Sequence, residues 1–600
     1  MNSSELSNFI WQVADLLRGD YKQADYGRVI LPFTVLRRLE CVLEPTKAKV
    51  LKEYEKLKGE TALERRLLRV SGQAFYNVSP LTLLALLSDQ KHIRQNLTAY
   101  LGDFSAGAQD VFENFKFANR IGELEEKDLL FLIVQKFATI DLHPDAVPNE
   151  MMGHVFEDLI RRFAEDSNET AGEHFTPRDV IRLMVQCLFA EDAASLSRPG
   201  VVRSLYDPAA GTGGMLSVGD NMLYEMNKDA KLALFGQELN DESYAICKAD
   251  MLIKGQDPNH IRPGNTLSAD AFPDERFDYG LSNPPFGVDW KKVQAAVKAE
   301  HEKKGYGGRF GPGLPRISDG ALLFLLHLIS KMRPPADGGG RIGIVLNGSP
   351  LFTGDAGSGE SEIRRWILEN DWLEAIIALP TDLFYNTGIA TYIWILDNAK
   401  RKERKGRVQL IDATRMYAKM KKSLGSKRAT ITDEQIAEIV KVYGENLEGA
   451  TFRGEYQERK PNGNGNSEPE APRVVSKVFD NAFFGYRKVT VDRPPRPGTE
   501  GKPKKGEQPY DRELRDTETI PLTDSIDDYM AREVLPHVPD AWVNTTIRDE
   551  KDGGVGKVGY EINFNRYFYV YKPPRPPEVI AAEIREMEKR FLELMKGVVG

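Results

Sequence analysis

The sequence predicts an α/β protein with a mostly parallel sheet, an all-helical N-terminal domain and a helical C-terminal extension. Between about residues 150 and 400, short apolar runs alternate with longer helical patterns, as expected for strands that are joined by crossover helices. Over the first 145 residues the apolar positions follow helical spacing, for example from Leu81 to Leu87. The final segment, 577–598, also places its apolar residues at helical spacing.

The length of the chain, 600 residues, exceeds what one hydrophobic core usually organises, so several domains are expected. Proline-rich polar stretches such as 459–473 and 493–509 predict a linker, because they cannot bury enough apolar surface to fold alone. We therefore predict four regions: a helical domain (1–145), an α/β domain that carries the chemistry (146–455), a flexible Pro/Gly/Lys-rich linker (456–510), and a C-terminal partner-docking region that ends in a helix (511–600).

Charge and cysteine content narrow the class of protein. The net charge is −8, whereas a protein that grips nucleic acid unaided usually has a basic surplus. Nucleic acid would therefore need a local basic patch or a partner. Cys41, Cys187 and Cys247 form no C-x-x-C pair, which argues against a disulfide framework or metal site and for a reducing cytoplasm. No apolar run approaches the roughly 20 residues that span a bilayer, so no membrane association is expected.

Six apolar runs predict the strands of the α/β domain: VVRSLYDP, LALFGQEL, FDYGLSNPP, RIGIVLN, LEAIIALP and TYIWILD. Intervening helical patterns favour parallel pairing, although TYIWILD is also compatible with antiparallel pairing to its neighbour. Open sheets of this class bind ligands beyond the carboxyl ends of their strands. The loops that follow these runs are therefore where a site is expected.

The first of these loops is a glycine turn. In VVRSLYDPAAGTGGML (201–216), a strand is followed by Asp207, a turn with Gly211, Gly213 and Gly214, and a helix. Glycines permit positive φ and close approach of a ligand, and amides at a helix start suit a carboxylate. Glu238, 24 residues beyond Gly214, ends the next strand, where an acidic side chain can accept hydrogen bonds from both ribose hydroxyls.

This pattern leaves three interpretations: a purely structural turn, a dinucleotide site, or a site for a nucleoside cofactor without phosphate. The dinucleotide motif G-x-G-x-x-G is absent, which disfavours the second. The turn together with Glu238 favours a Rossmann-like sheet that binds S-adenosylmethionine.

A second element, GEHFTPRD (172–179), predicts a helix start. Thr176 is the expected N-cap, Pro177 the first helical residue, and Asp179 lies in the first turn. Alone it would predict no more than a well-capped helix, with His174 as a structural histidine. No second His or Cys nearby supports a metal.

The motif SNPPFG (282–287), directly after the strand-like FDYGL, predicts the chemistry. Two prolines remove two N–H donors, which leaves the Asn283 side-chain oxygen and the Pro284 carbonyl as acceptors. Such a pair suits an exocyclic NH₂ group and aims its nitrogen at an activated methyl, so no strong general base is needed. Phe286 is placed to stack on a base that is flipped out of a duplex.

The ordered motifs EHFTPR, DPAAGTGG, GQELN and NPPF resemble the gamma class of DNA N6-adenine methyltransferases. Over about residues 5–420 the chain more closely resembles the modification (M) subunit of type I restriction–modification systems. The stretch between 455 and 511 departs from the family pattern, which leaves the C-terminal boundaries open.

This resemblance implies an S-adenosylmethionine-dependent methyltransferase fold and adenine-specific methylation of DNA. It implies that S-adenosyl-L-methionine is contacted by a set of twelve residues: Glu173, His174, Phe175, Thr176, Pro177, Arg178, Asp207, Gly211, Thr212, Gly213, Gly214 and Glu238. Asp207 would lie near the methionine amino group, and the target adenine would be held by Asn283, Pro284, Pro285 and Phe286. The implied partners are double-stranded DNA, a specificity (S) subunit, a restriction (R) helicase–nuclease subunit, and a second M copy on the same S subunit.

The segment 287–320 predicts a further DNA contact. It is long, lacks strong periodicity and is rich in Gly and Lys, which suits a loop that closes on a DNA backbone through Lys303, Lys304, Arg309 and Phe310. An ordinary solvated surface loop is the alternative. No zinc finger or clear helix-turn-helix is present, so base reading would fall to the S subunit.

Other functions compete with this assignment. Methylation of a protein glutamine or an RNA base would use similar acceptors, but glutamine methyltransferases typically carry Tyr where Phe286 stands. A non-enzymatic scaffold is disfavoured by the intact Asn283 and Gly211. A fused restriction enzyme lacks support, since no nuclease cluster or Walker loop is evident, and an orphan or other phage-defence methyltransferase remains an alternative.

Overall fold

The computed structural model describes residues 3–60, 63–148, 151–152, 176–385, 387–452, 473–503, 505–569, 571 and 576–599. The chain forms two compact units, residues 1–562 and 563–600. Across these described ranges, no helix combines the length and apolar character needed to cross a membrane.

The N-terminal region is helical, as predicted. Its helices are α1 (Ser3–Leu17), α2 (Tyr26–Leu57), α3 (Leu63–Ser71), α4 (Leu83–Leu86), α5 (Ile93–Gly102), α6 (Ala106–Asn114), α7 (Phe117–Glu126) and α8 (Leu130–Thr139). Their apolar faces meet in one core, in which Phe33 stacks on Phe137 at 5.4 Å between ring centroids and meets Phe117 edge-on at 4.8 Å. Such aromatic pairs add to the burial of apolar area that stabilises a helical domain.

A nine-stranded mixed sheet forms the centre of the chain. Its strands are β1 (Val202–Asp207), β2 (Lys231–Glu238), β3 (Ile261–Pro263), β4 (Tyr279–Ser282), β5 (Arg341–Asn347), β6 (Leu373–Ala378), β7 (Thr391–Asp397), β8 (Arg407–Asp412) and β11 (Ser476–Asp480). The spatial order is β11-β8-β6-β7-β5-β4-β1-β2-β3. Strands β3, β2, β1, β4 and β5 run parallel, whereas β7, the run TYIWILD, pairs antiparallel with both β5 and β6.

The central strands are buried on both faces, because helices cover them. These helices are α9 (Arg178–Leu196), α10 (Gly214–Met226), α11 (Asp241–Lys254), α12 (Gln294–Lys304), α13 (Ala321–Ser330), α14 (Ser349–Phe352), α15 (Gly359–Glu369) and α16 (Asp433–Gly444). All residues of β6 and β7 are buried, which explains their continuous apolar sequences.

Helix α11 joins the helical domain to the sheet. Ala245 and Leu252 on one face pack in the N-terminal core, while Cys247 and Met251 pack in the core of the sheet. Lys248 also forms an ion pair with Asp110 of α6. The helical domain therefore supports the helix that begins three residues after Glu238.

A second, antiparallel sheet follows the first. Its central strand β12 (Gly485–Asp492) pairs with β13 (Asp516–Pro521), β14 (Trp542–Val543) and β15 (Lys557–Tyr560), and α17 (Ile526–Tyr529) covers it. It is fixed to α15, where Arg365 donates to Asp549 at 2.9 Å and the Arg364 guanidinium donates to the Tyr560 carbonyl.

The predicted flexible linker, 456–510, needs correction. Residues 453–472 lie outside the described residues, but β11 and β12 both fall within the predicted linker and belong to sheets. The proline-rich 493–509 is held by polar contacts, since Arg496 Nε and Thr499 Oγ1 donate to buried Asp511 at 2.7 and 2.6 Å. Composition predicted a linker because it does not report the hydrogen bonds to Asp511, 12 to 15 residues further along the chain, that hold this segment.

The second unit contains α18 (Phe564–Phe568) and α19 (Pro577–Val599). The terminal helix is present where it was predicted, whereas 516–560 forms the strands described above rather than a helical extension. Several large apolar side chains of α19 are exposed: Ile580, Ile584, Met587, Phe591, Leu592, Leu594 and Met595.

Candidate active site

A cavity of about 570 Å³ lies at the carboxyl ends of the parallel strands. Asp207 at the end of β1, Glu238 at the end of β2, Gly264 after β3 and Asn283 after β4 all line it. Parallel strands end at one edge of a sheet, so residues from distant parts of the sequence converge there. The cavity thus brings together the glycine turn, Glu238, and Asn283 and Pro285 of the NPPF motif.

The glycine turn adopts backbone conformations that other residues rarely adopt. Gly211 has φ +53° and Gly213 has φ +84°. A Cβ on Gly213 would lie 2.8 Å from Cys247 Sγ, so the turn also packs closely on α11. Gly211, Thr212 and Gly214 line the cavity, and α10 begins at Gly214. Amides at the start of this helix face a region suited to a carboxylate.

Glu238 is a buried carboxylate that orients the turn. Its Oε2 accepts from the Gly211 amide at 2.7 Å, and its Oε1 accepts from the Asn240 amide at 2.7 Å. A carboxylate oxygen has a second lone pair, so each oxygen can still accept from a ligand hydroxyl. Glu238 is therefore both held in place and able to bind two donors.

Asp207 is a buried carboxylate beside the same turn. Its Oδ1 accepts from the Ala209 amide at 3.0 Å. Burial raises the pKa of Asp207 to about 7, and the neighbouring Glu238 charge adds to this rise, although the hydrogen bond from the Ala209 amide and the nearby Ser282 hydroxyl oppose it. A ligand ammonium group would offset the cost of this buried charge.

Asn283 presents a free acceptor. Its Nδ2 donates to Thr176 Oγ1 at 2.9 Å, while its Oδ1 is buried and has no hydrogen-bond partner among the described residues. An unpaired buried polar atom costs free energy, and a ligand that donates a hydrogen bond to it would remove this cost. Pro285 also lines the cavity and Pro284 is buried beneath it.

Thr176 was predicted as the N-cap of the following helix, and this assignment is wrong by one residue. Helix α9 begins at Arg178 with Pro177 as N-cap, and the Thr176 hydroxyl is bonded to Asn283 instead. Glu173, His174 and Phe175 lie outside the described residues. Arg178 and Pro177 do not line the cavity.

Phe286 lies half-buried against Phe384, with ring centroids 5.9 Å apart and planes at 84°. The edge-on contact fixes the Phe286 ring against the loop that precedes β7. Phe286 does not line the cavity that Asn283 lines.

Sequence reasoning missed the loop after β3. Gly264, Asn265 and Thr266 line the cavity, and Asn265 Oδ1 accepts from the Leu267 amide at 3.0 Å. Asn240, Asp241 and Phe324 also line it. The available signal was position, since loops after neighbouring parallel strands meet at one edge.

The predicted DNA loop, 287–320, is only partly what composition suggested. Its residues 294–304 form α12, and Phe310 is fully buried. Arg309 pairs with Glu300 at 2.7 Å and donates to the Thr266 and Leu267 carbonyls at 2.7 and 3.0 Å. Arg309 and Phe310 are therefore structural, and Arg309 holds the loop that lines the cavity.

His327 extends this polar network beneath the cavity. Burial, with the charges of Arg309 and Lys331, holds the pKa of His327 well below its usual value. The neutral ring accepts from Arg309 at Nδ1, at 3.2 Å, which leaves the Nε2 hydrogen for Tyr206 Oη at 3.0 Å. Within the part of the chain that the structure describes, no group of three or more His, Cys, Asp or Glu residues could hold a metal.

The fold and this cavity define a class of protein. The strand order β3-β2-β1-β4-β5-β7-β6 with antiparallel β7, a glycine turn after β1 and an acidic residue ending β2 are features of Rossmann-like, S-adenosylmethionine-dependent methyltransferases. The NPPF turn at the end of β4 narrows this class to methyltransferases that act on an amino group.

Comparison with known proteins gives the family. The N-6 DNA methylase model matches residues 148–460, and the HsdM N-terminal domain model matches residues 6–137. The chain belongs to the N-6 DNA methylase family, as a DNA adenine methyltransferase of the type I restriction–modification kind.

Individual relatives agree with this family. The MjaIX methylase subunit of a type I restriction enzyme from Methanocaldococcus jannaschii is 26% identical over 452 residues, which cover 73% of this chain and 76% of that protein. The HindI methylase subunit from Haemophilus influenzae is 29% identical over 272 residues, or 44% of this chain and 54% of that protein. The chain thus spans between about half and three quarters of these relatives.

A solved structure supports the fold. The methyltransferase subunit of a type I restriction–modification system from Streptococcus thermophilus superposes with a TM-score of 0.59 at 25% identity. The match covers 75% of this chain and 95% of that structure.

Proposed function

We propose that the cavity binds S-adenosyl-L-methionine and that Asn283 and Pro284 hold the amino group of a flipped adenine for methylation. The observation that carries this proposal is the buried Oδ1 of Asn283, a residue that lines the cavity, which has no hydrogen-bond partner among the described residues. An amino group has two hydrogens to donate, and an acceptor that has already been desolvated binds one of them without further cost.

The cavity also fits the cofactor. Glu238 can accept from two ribose hydroxyls, Asp207 can face the methionine ammonium, and the amides at the start of α10 can face its carboxylate. The bound cofactor supplies a methyl group that is activated by its positive sulfur. The residues of this chain orient the two reactants, and orientation accounts for much of such catalysis.

Asn283 acts on the amino group rather than on the cofactor. By accepting from the N6 hydrogens, Oδ1 and the Pro284 carbonyl draw the nitrogen lone pair out of ring conjugation and direct it toward the methyl. Thr176 fixes the carboxamide so that oxygen, not nitrogen, faces the adenine. Phe286 is proposed to stack on the flipped base after DNA has bound.

The test replaces Asn283 with Ala in the assembled enzyme. Methyl transfer to DNA should fall by at least about 100-fold, as when one donor or acceptor of a transition state is removed. Calorimetry should show cofactor affinity within about threefold of wild type, since less than about 0.7 kcal/mol of cofactor contact is removed. Mass spectrometry of digested DNA should find N6-methyladenine. Finding N4-methylcytosine, or normal turnover by N283A, would contradict the proposal.

We further propose that the chain acts in a complex with an S subunit, which reads the sequence of double-stranded DNA, and an R helicase–nuclease subunit, with two M copies per S subunit. Type I methylase relatives are named as subunits of larger enzymes. The overall charge of −8 also favours a partner that shares the DNA contacts.

The proposed S-subunit contact is the exposed apolar stripe of α19, within the 511–600 docking region. Ile584, Met587 and Phe591 are 48, 63 and 62% exposed, and a helix with such a face commonly packs against helices of a partner. Deleting residues 577–600 should abolish co-purification with the S subunit while the cofactor affinity stays unchanged. A truncated chain that still assembled and methylated DNA would place the contact elsewhere.

A further inference from the structure

A basic hairpin stands apart from the two larger sheets. Strands β9 (Ala418–Leu424) and β10 (Lys427–Thr430) form a two-stranded antiparallel sheet of their own. Residues 413–432, which include the hairpin, contain six Lys or Arg and no Asp or Glu, in a chain whose net charge is −8. The hairpin thus concentrates positive charge against the overall balance of the protein.

The charges on this hairpin are available to a ligand. Lys419, Lys421, Lys422 and Arg428 are exposed, and none of the four forms an ion pair with any residue that the structure describes. Lys427 behaves differently, since it is buried and pairs with Asp179 at 3.0 Å. One cation therefore anchors the hairpin while four others project into solvent.

The hairpin is fixed beside the NPPF motif. The Ser426 amide donates to the Tyr385 carbonyl at 2.8 Å, the Arg428 amide donates to the Asp382 carbonyl at 2.8 Å, and Lys427 Nζ donates to the Leu383 carbonyl at 3.0 Å. The same loop carries Phe384, whose ring contacts Phe286. The partner of Lys427, Asp179, lies three residues after Thr176.

The topology of the nine-stranded sheet also places the hairpin on the side of the sheet that carries the NPPF motif. Asp412 at the end of β8 pairs in register with Ala378 at the end of β6, and Ala378 pairs with Tyr392 of β7. Tyr392 pairs with Leu346, near the end of β5, which runs parallel to β4 and β1. The hairpin that follows Asp412 therefore rises from the edge of the sheet at which Asp207 and Asn283 lie.

We propose that this hairpin binds phosphates of the DNA backbone next to the flipped adenine. The inference rests on the proposed function, because it assumes that DNA reaches Asn283. Exposed, unpaired lysines suit phosphates, whose binding releases counterions and needs no base recognition. A flipped nucleotide also needs its flanking backbone held, and a rigid hairpin beside Phe286 is placed to hold it.

The test compares two lysine pairs in the full-length chain. The hairpin variant is Lys421→Gln/Lys422→Gln. The matched control is Lys402→Gln/Lys405→Gln, an exposed pair between β7 and β8 at the opposite edge of the sheet. The probe is a fluorescein-labelled 30-base-pair duplex of arbitrary sequence, and anisotropy gives its affinity from about 50 to 200 mM salt.

The hairpin variant should bind the duplex at least about tenfold more weakly at 50 mM salt, and its plot of log K against log salt should be flatter by about 1–2, as expected for two lost phosphate contacts. The control should match wild type. Three results would overturn the proposal: equal losses in both variants, no loss in the hairpin variant, or no duplex binding by wild type at 50 mM salt.

Three further measurements keep this inference separate from the proposed function. Cofactor affinity of the hairpin variant should equal that of wild type, which shows an intact cavity. Loss of co-purification with partner subunits without loss of duplex binding would assign the hairpin to an acidic protein surface and contradict the DNA assignment. Absence of N6-methyladenine from the wild-type enzyme would contradict the proposed function whatever the hairpin binds.

Discussion

Asn283 and Thr176, 107 residues apart in the chain, are joined by a hydrogen bond of 2.9 Å from the Asn283 Nδ2 to the Thr176 Oγ1. Because the amide nitrogen is engaged, only the amide oxygen remains to accept from a substrate; this oxygen is buried and has no partner among the described residues, and Asn283 lines the cavity. The segment with Thr176 at a helix start and the NPPF motif after β4, which the sequence analysis treated separately, are therefore linked by a hydrogen bond. Thr176 would thus be a positioning residue for the acceptor that we propose contacts the substrate.

Replacing Thr176 with Val should lower the rate of methyl transfer. The variant keeps the shape of the side chain but removes the acceptor, so the Asn283 carboxamide can rotate and present its NH₂ to the adenine amino group. Loss of one hydrogen bond costs about 0.5–1.5 kcal/mol, which corresponds to a fall in kcat of roughly 2- to 13-fold.

The control for this prediction is Thr176→Ser, which keeps the hydroxyl and should recover kcat to within about twofold, or about 0.4 kcal/mol. Single-turnover rates separate this effect from DNA binding. If the Val and Ser variants have equal rates, the hydroxyl does not orient Asn283.

Replacing Glu238 with Gln should weaken cofactor binding. The carboxylate accepts from the Gly211 and Asn240 amides, and an amide group can supply only one oxygen for those two bonds. We expect a loss of about 1–3 kcal/mol, or about 5- to 150-fold in Kd, measured by calorimetry. Asp241→Asn, at a neighbouring residue that also lines the cavity, is the matched control and should change Kd much less. An unchanged Kd in folded E238Q would remove Glu238 from the site.

Asp207 predicts a pH dependence of cofactor binding. Burial raises its pKa to about 7, so below pH 7 the carboxyl must lose its proton before it can face an ammonium group. Binding should therefore release up to one proton near pH 6, and affinity should rise by up to about tenfold per pH unit until it levels off above pH 7. Calorimetry in buffers of different ionisation enthalpy counts the released protons. Asp207→Asn should abolish this pH dependence of cofactor affinity. An affinity of the wild type that does not change with pH would contradict the proposed contact between Asp207 and the ammonium group.

The same pKa shift affects the free protein with the opposite sign. A carboxyl group with an ordinary pKa of 3.8 in the unfolded chain and about 7 in the folded chain binds more protons when folded. Its contribution to the free energy of unfolding is largest below pH 4, decreases as the pH rises from 4 to 7, and is constant above that. Urea unfolding without cofactor should therefore show D207N losing less stability than wild type between pH 5 and 7.

Local sequence predicted the parts of the site that local geometry determines. A glycine turn after a strand, an acidic residue at the next strand end and Asn283 after β4 could be assigned because each sits at a strand terminus, and parallel strands end together. The role of Thr176 could not be assigned, because a proline one residue away made a helix cap equally consistent with the sequence. Its partner is 107 residues distant.

The C-terminal sheet escaped prediction for a related reason. Its strands are short, and β12 pairs with segments about 30 to 70 residues further along the chain, with proline-rich polar sequence between them. Buried Asp511 orders that sequence through Arg496 and Thr499, and no periodicity reports such contacts. Composition alone therefore predicted a linker where long-range polar contacts make a folded domain.

The last prediction concerns Arg309. The composition of the segment 287–320 predicted that Arg309 contacts DNA, but its hydrogen bonds indicate that it supports the loop lining the cavity. Its guanidinium donates to the Thr266 and Leu267 carbonyls and pairs with Glu300, and both side chains of the pair are only 12–13% exposed. Burial raises the pKa of Glu300, but hydrogen bonds from Arg309 outweigh this and hold it below its usual value. Arg309→Ala should therefore leave a half-buried carboxylate and two carbonyls without donors, and destabilise the protein by about 3 kcal/mol.

The double variant Arg309→Ala/Glu300→Gln should be less destabilised than Arg309→Ala, because no unpaired charge remains. Both variants should bind the cofactor more weakly than wild type, since Thr266 lines the cavity and loses its brace in each. The control is Lys303→Ala, at an exposed residue of α12, the helix that carries Glu300. This variant should change neither the stability nor the cofactor affinity. Unfolding in urea gives the stability and calorimetry gives the Kd. If R309A weakened DNA binding but left stability and cofactor affinity unchanged, Arg309 would be a DNA contact after all and the brace would be refuted.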